Sequence, residues 1–155
     1  MTNLSTTLIA NFAYNYQDFA QRVRSLTDQL NEEHFWTKPY SYGNSFGNLV
    51  LHLTGNLNYY IGTQIAGTGY TRDRKREFTD RIGTKEQVLA GLDAAVAMVI
   101  ATLKKQGEPD WSIPYQANGV DDVHDRFGIY LRCVMHFHHH IGKMIYLVKE
   151  LNKPT

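Results

Sequence analysis

Cys133-Val-Met-His-Phe-His-His-His-Ile-Gly-Lys-Met-Ile-Tyr-Leu147 carries four histidines within five residues of an otherwise helical run. At ~100° per residue, His136 and His140 lie one turn apart and ~40° apart around the axis. Their imidazoles share a face and can grip one ion. His138 points roughly the opposite way, and His139 lies to one side of the pair. Phe127, Tyr130, Val134, Phe137, Ile141, Met144, Ile145 and Val148 fill a wide apolar arc with His140 at its edge. Ile129, Cys133 and Leu147 lie on the His136 side, which predicts a partly enclosed pair.

Two histidines rarely complete a metal site, and catalytic zinc typically has three protein ligands and an open position. The candidate third ligand is His52, in Asn48-Leu-Val-Leu-His-Leu-Thr-Gly-Asn56. It lies beside an apolar arc of Phe46, Leu49, Leu53, Leu57 and Tyr60. Alone, it would read as a core histidine. Two helices of one bundle can bring it to the His136/His140 pair, so the expected metal site is His52, His136 and His140. His138 and His139 read as surface or supporting residues.

This pattern resembles the DinB-like superfamily of four-helix metalloproteins. Members carry one histidine on the second helix and His-x-x-x-His-x-Gly-Gln on the fourth. Here the latter reads His136-Phe-His-His-His140-Ile-Gly142-Lys143, with Lys143 in place of the frequent glutamine. Asn44-Ser-Phe-Gly-Asn-Leu-Val-Leu-His-Leu-Thr-Gly-Asn56, followed by Arg72-Asp-Arg-Lys-Arg-Glu-Phe78, resembles one uncharacterised subgroup. The resemblance covers nearly the whole chain. It implies a divalent metal such as nickel or zinc, and a homodimer. It also implies an up-down-down-up path with a crossover between the second and third helices. Some relatives are thiol-dependent S-transferases or isomerases that use bacillithiol, mycothiol or glutathione; many others have no known activity.

Composition sets the outer bounds. A chain of 155 residues suits one domain with one core, residues 1–155. Hydrophobic residues at 43% and charged residues at 20% are ordinary for a soluble globular protein. A formal charge of +1 gives no global field toward nucleic acid or an anionic membrane, so neither is an expected partner. One cysteine, Cys133, excludes an internal disulfide framework and fits a reducing cytoplasm. No signal peptide is apparent, and no run of ~18 apolar residues exists.

The remaining periodicity predicts an all-α, four-helix bundle. Leu4, Leu8, Phe12, Phe19, Val23, Leu26 and Leu30 place the first helix over residues 4–30. A connector with Trp36, Pro39, Tyr40, Tyr42 and Gly43 follows, whose aromatics cap the bundle end or overhang the metal mouth. Asn44 or Ser45 caps a second helix reaching about Ala66. Gly55 and Gly62 interrupt it, which suits close packing against a neighbouring helix or a partner subunit. Thr84-Lys-Glu-Gln87 reads as a capping box for a third helix ending near Lys105. After a connector at 108–122, Asp121 or Asp122 starts the fourth helix, which runs to about Asn152.

The linker at 67–83 holds Arg72, Arg74, Lys75, Arg76 and Arg81 against Asp73, Glu77 and Asp80. Two readings stay open: a solvated, internally paired loop, or an anion clamp in which Arg72, Arg74 and Arg76 hold an anionic ligand. Asp18, Asp93 and Glu77 are the candidate carboxylates behind a ligand imidazole. No residue stands out as catalytic. Cys133, one turn before His136, reads as inert core. Neither His-Glu-x-x-His nor a Gly-rich phosphate loop is present. The expected functions are therefore metal-activated transfer of a low-molecular-weight thiol to a small electrophile, a non-catalytic metal-binding or ligand-sensing bundle, or a scaffold dimer that binds no ion.

Overall fold

The computed structural model describes residues 3–154. Four long helical segments carry the fold: α1 (Leu4–Thr27), α3 (Phe46–Leu57), α5 (Lys85–Leu103) and α6 (Arg126–Leu151). Short helices α2 (Glu32–Trp36) and α4 (Arg74–Thr79) sit in the first two connectors, and a 3₁₀ turn spans Glu108–Ser112. No strand is formed among the described residues; one isolated bridge joins Pro114 and Asp125.

Side-chain caps set the helix starts. Ser45 accepts a hydrogen bond from the Asn48 amide, and Thr84 and Gln87 form the expected capping box. The fourth long helix begins later than the expected Asp121 or Asp122. Asp125 is its N-cap and accepts from the Gly128 amide at 2.7 Å. The delay has a local cause. Tyr115 N–H donates to His124 and Arg126 N–H donates to Ile113, so this stretch is pinned as an extended pair.

Contacts along the helices fix their directions. Ser5 meets Gln106 and Glu108, while Arg24 meets Glu86, so α1 and α5 are antiparallel. Phe12 meets Tyr130, Phe19 meets Phe137 and Gln29 meets Asn152, so α1 and α6 are parallel. Thr54 faces Gly91 and Gly62 faces Met98, so α3 and α5 are parallel. The result is the up-down-down-up path, and the parallel α3–α5 pair requires the crossover at 67–83.

The core joins Tyr16, Val23, Phe46, Leu53, Ile61, Leu92, Val99, Leu103, Tyr130 and Phe137. By length and composition α5 is apolar enough to cross a membrane. Its Val88, Leu92, Val96, Val99 and Leu103 are buried against the other helices, as in a core helix. Beyond Leu57 the chain widens into a π-helical segment, Asn58–Ala66, which ends at Gly67 with φ 66°. Such segments are rare and shift the register of side chains that follow.

Candidate metal centre

His52 on α3 and His136 and His140 on α6 converge at one point. His52 Nε2 lies 3.1 Å from His136 Nε2, which lies 3.0 Å from His140 Nε2. The three ligand atoms fall within 4.8 Å of one another, so this group can hold a metal ion. Nitrogens 2.0–2.1 Å from one tetrahedral ion stand about 3.3 Å apart, close to the observed spacing.

Hydrogen bonding tests whether these residues fit an ion. Glu77 Oε2 accepts from His52 Nδ1 at 2.8 Å, which leaves the His52 Nε2 lone pair facing the other two rings. The Nδ1 atoms of His136 and His140 are buried without a partner among the described residues. Should His136 carry its proton on Nε2, its buried Nδ1 lone pair is unpaired. Should the proton sit on Nδ1, that donor is unpaired and Nε2 meets the His52 Nε2 lone pair to lone pair. Each tautomer leaves a buried polar group unmet. A cation at the centre removes the conflict among the Nε2 atoms, so the donor set fits one.

Burial and neighbouring charges keep His136 and His140 neutral. Burial drives the His136 imidazole down to about 3, helped by His52 and Arg132. Burial drives His140 down to about 2, helped by His136 and His52. For Glu77, burial alone acts upward. Hydrogen bonds from His52 and Arg72, with the Arg72 charge, outweigh it and hold the carboxyl below its usual range.

Glu77 is 6% exposed and is gripped from two sides. Arg72 Nε donates to Oε1 at 2.7 Å and its terminal nitrogen donates to Oε2 at 2.9 Å. Linker, carboxylate and imidazole therefore form one chain of contacts that orients His52. Asp18 and Asp93, the other candidate carboxylates, lie elsewhere and pair with Arg22 and Arg24.

The linker arginines divide. Arg72 and Arg74 line a cavity of about 170 Å³ together with His52, Asn56, Tyr60, Gly119, Arg132, Cys133 and His136. Arg72 is committed to Glu77, whereas Arg74 lies over the Phe78 ring at 5.3 Å. Arg76 is not brought to this cavity: it is exposed and pairs with Asp80 at 2.9 Å. Gly119, at φ 88°, forms part of the wall, and a β-carbon there would lie 2.9 Å from the Tyr60 hydroxyl. Past Tyr60, Arg72, Arg74 and Gly119 an outer groove of about 720 Å³ continues, lined also by Tyr59, Tyr70, Thr71 and Asn118.

His138 stacks on Phe19, 5.2 Å away, outside the cluster. His139 is exposed beside the His140 ring. Cys133 is 2% exposed and burial pushes its thiol up to about 12. Trp36 packs over Gly47 and Phe35 at the bundle end, away from the metal centre. Two residues of the cavity escape a search for ligand types: Asn56 and Arg132. A signal for both existed, since Asn56 follows His52 by four residues and Arg132 precedes His136 by four.

Residues 3–155 match the family described as "Protein of unknown function (DUF1572)". The chain belongs to the DUF1572 family. Two solved structures share its fold. A conserved protein from Enterococcus faecalis aligns with TM-score 0.77 and 15% identity, covering 97% of this chain and 98% of that one. A DinB-like protein, YjoA from Bacillus subtilis, aligns with TM-score 0.67 and 14% identity, covering 94% of each. At these identities the likeness shows the fold. No curated protein matches the sequence. This DUF1572 chain thus shares the fold of a DinB-like protein, and within that fold it brings three histidines together.

Proposed function

We propose that this DUF1572 protein holds one divalent metal ion on His52, His136 and His140 and works there as a thiol S-transferase for small electrophiles. The observation that carries the proposal is the convergence of three Nε2 atoms beside a polar cavity lined by Arg72, Arg74 and Arg132. Neutral imidazoles suit nickel and zinc as they do copper and iron, and nickel or zinc is the ion of this proposal. A divalent ion bound there supplies positive charge, which favours an anionic fourth ligand and acidifies a thiol.

The chain's own residues do the rest. Glu77 holds the Nδ1 proton of His52, so that Nε2 faces the centre. Arg74 and Arg132 offer guanidinium donors to the anionic groups of a thiol cosubstrate. The outer groove, with its three tyrosines, gives room for the electrophile. In the transfer the thiol releases its proton to solvent and its sulfur bonds to the electrophilic carbon. The leaving group departs with the bonding pair. No protein nucleophile is required, and Cys133 takes no part.

In the same proposal the protein is a cytoplasmic homodimer. The buried lone Cys133 supports a reducing compartment. Exposed Tyr14, Leu131 and Met135, which line a groove between α1 and α6, supply apolar surface for a second copy.

The test uses protein purified without a histidine tag, since four neighbouring histidines capture column nickel. Elemental analysis should give one ion per chain, lost on alanine substitution of any ligand and kept in His138→Ala. Calorimetric titration with a low-molecular-weight thiol should give heat that a thiol-free analogue does not. Absence of stoichiometric metal rejects the proposal. Metal without thiol binding rejects the transferase and leaves a metal-binding bundle.

A further inference from the structure

The connector between α2 and α3 spends its aromatic residues in two ways. Trp36 packs over Phe35 and Gly47. Tyr40 and Tyr42 instead stack on each other, with ring centroids 5.2 Å apart and planes within 5°, and Tyr42 is 74% exposed. From α6 comes Tyr146, which is 72% exposed. Together with the core residues Leu49 and Leu147, the three tyrosines line a cavity of about 300 Å³ between the connector, α3 and α6. Exposed rings gathered at one concavity mark a binding groove, where scattered ones would not.

The wall says what kind of ligand it suits. It is mostly apolar, and its one charged residue is Lys143. Lys143 is exposed and makes no ion pair among the described residues. Glu150, the acidic group beside Tyr40, is paired with Lys153. Lys149 lies over the Tyr146 ring at 5.9 Å and adds positive charge at the rim. The cavity therefore offers flat apolar faces and one unpaired ammonium. Tyrosine faces take up a planar ring in an offset stack, and the ammonium draws an anion. One lysine on the C-terminal half of α6 suits a singly charged group; a phosphate dianion calls for arginines or a helix N-terminus. A cavity of about 150 Å³ holds one benzene ring, so 300 Å³ has room for two fused rings.

We infer that this cavity is a second ligand site, separate from the histidine cluster, that binds a small planar aromatic carboxylic acid. The ring lies against Tyr42 and Tyr146 over Leu49 and Leu147, and the carboxylate meets Lys143. Tyr40 backs Tyr42 by stacking, so the face that receives the ligand is held in place before it arrives. The site shares no residue with the cavity lined by His52, Asn56 and Arg132. It therefore takes its ligand with or without an ion at the cluster.

The probes are 2-naphthoate, the neutral 2-naphthalenemethanol, and decahydro-2-naphthoate, which keeps the charge and bulk without the flat ring. Calorimetric titration of the full chain should show 2-naphthoate binding equally well after chelator treatment and after metal loading. The alcohol should bind about three- to fivefold more weakly for want of the ion pair. The saturated acid should bind about fivefold more weakly for want of stacking. Tyr42→Ala should lower the affinity for 2-naphthoate about tenfold, and Tyr42→Phe should keep it. Lys143→Ala should bring acid and alcohol to one affinity. Tyr42 and Lys143 are exposed, so these changes leave the fold intact. No heat with 2-naphthoate at millimolar concentration overturns the site, as does an affinity equal to the alcohol's or unmoved by Tyr42→Ala. Binding to the metal-loaded protein alone gives the acid to the histidine cluster and overturns the second site. Loss of mass in sedimentation on Tyr42→Ala gives this face to a second copy of the chain and overturns it as well.

Discussion

A β-carbon at position 55 would stand 2.0 Å from Glu77 Oε1, so Gly55 leaves the space that this carboxylate fills. Its lack of a side chain serves the close contact between α3 and the short crossover helix α4. Gly55→Ala should expel Glu77 and loosen His52 while favouring the helix itself. Loss of such a supporting carboxylate lowers metal affinity by about 10- to 100-fold. Competition with a chromogenic chelator measures this; an unchanged affinity would mean that Glu77 does not support the centre.

Acid should destabilise the metal-free protein through the histidines. His136 and His140 sit at about 3 and about 2 in the folded chain, against 6.5 as the ordinary value. The unfolded chain therefore binds more protons as pH falls below about 6.5. Their contribution is complete above that pH and drains away toward the folded values. Glu77, held below its ordinary 4.5, acts in the same sense at lower pH. Urea midpoints should fall steadily from about pH 6.5 to pH 4, and His136→Ala with His140→Ala should flatten the upper part of that slope. A flat profile in the unaltered chain would contradict this.

Cys133 should resist alkylation. With its thiol near 12 only about one molecule in ten thousand is thiolate at pH 8, and the side chain is buried. Iodoacetamide should label it within the usual time only after denaturation, and Cys133→Ala should retain the metal. Rapid labelling of the native protein would make this thiol a reactive part of the cavity.

Sedimentation equilibrium at micromolar concentration should give twice the mass of the 17.8 kDa chain. Leu131→Glu with Met135→Glu should yield monomers without loss of metal, since both side chains are exposed and point away from the cluster. A monomer mass for the unaltered protein rejects the dimer.

Much of this molecule was legible in the chain. Apolar spacing and the Ser45 and Thr84 caps located the long helices, because those signals are local. The i, i+4 pair at 136 and 140 and the lone His52 pointed to one centre, which α3 and α6 assemble as adjacent, antiparallel neighbours. Features set by tertiary contact were not legible. Asp125 outcompetes Asp121 and Asp122 as a cap because strand-like pairing to Ile113 and Tyr115 delays the helix. Glu77 could not be told from Asp18 or Asp93 until α4 and Gly55 placed it. Past Leu57 a 100° wheel fails, because the turn there is π-helical.

His52 precedes His136 by 84 residues. At the usual pace of synthesis, ~5–20 residues per second, about 4 to 17 seconds separate their emergence from the ribosome. His52, Gly55, Arg72 and Glu77 all leave early, so the oriented imidazole and its carboxylate can form as one unit while α6 is still unmade. An ion arriving in that interval meets a single ring. In the proposed metal protein, loading therefore follows the synthesis of α6, because until then the cluster offers one ring of its three.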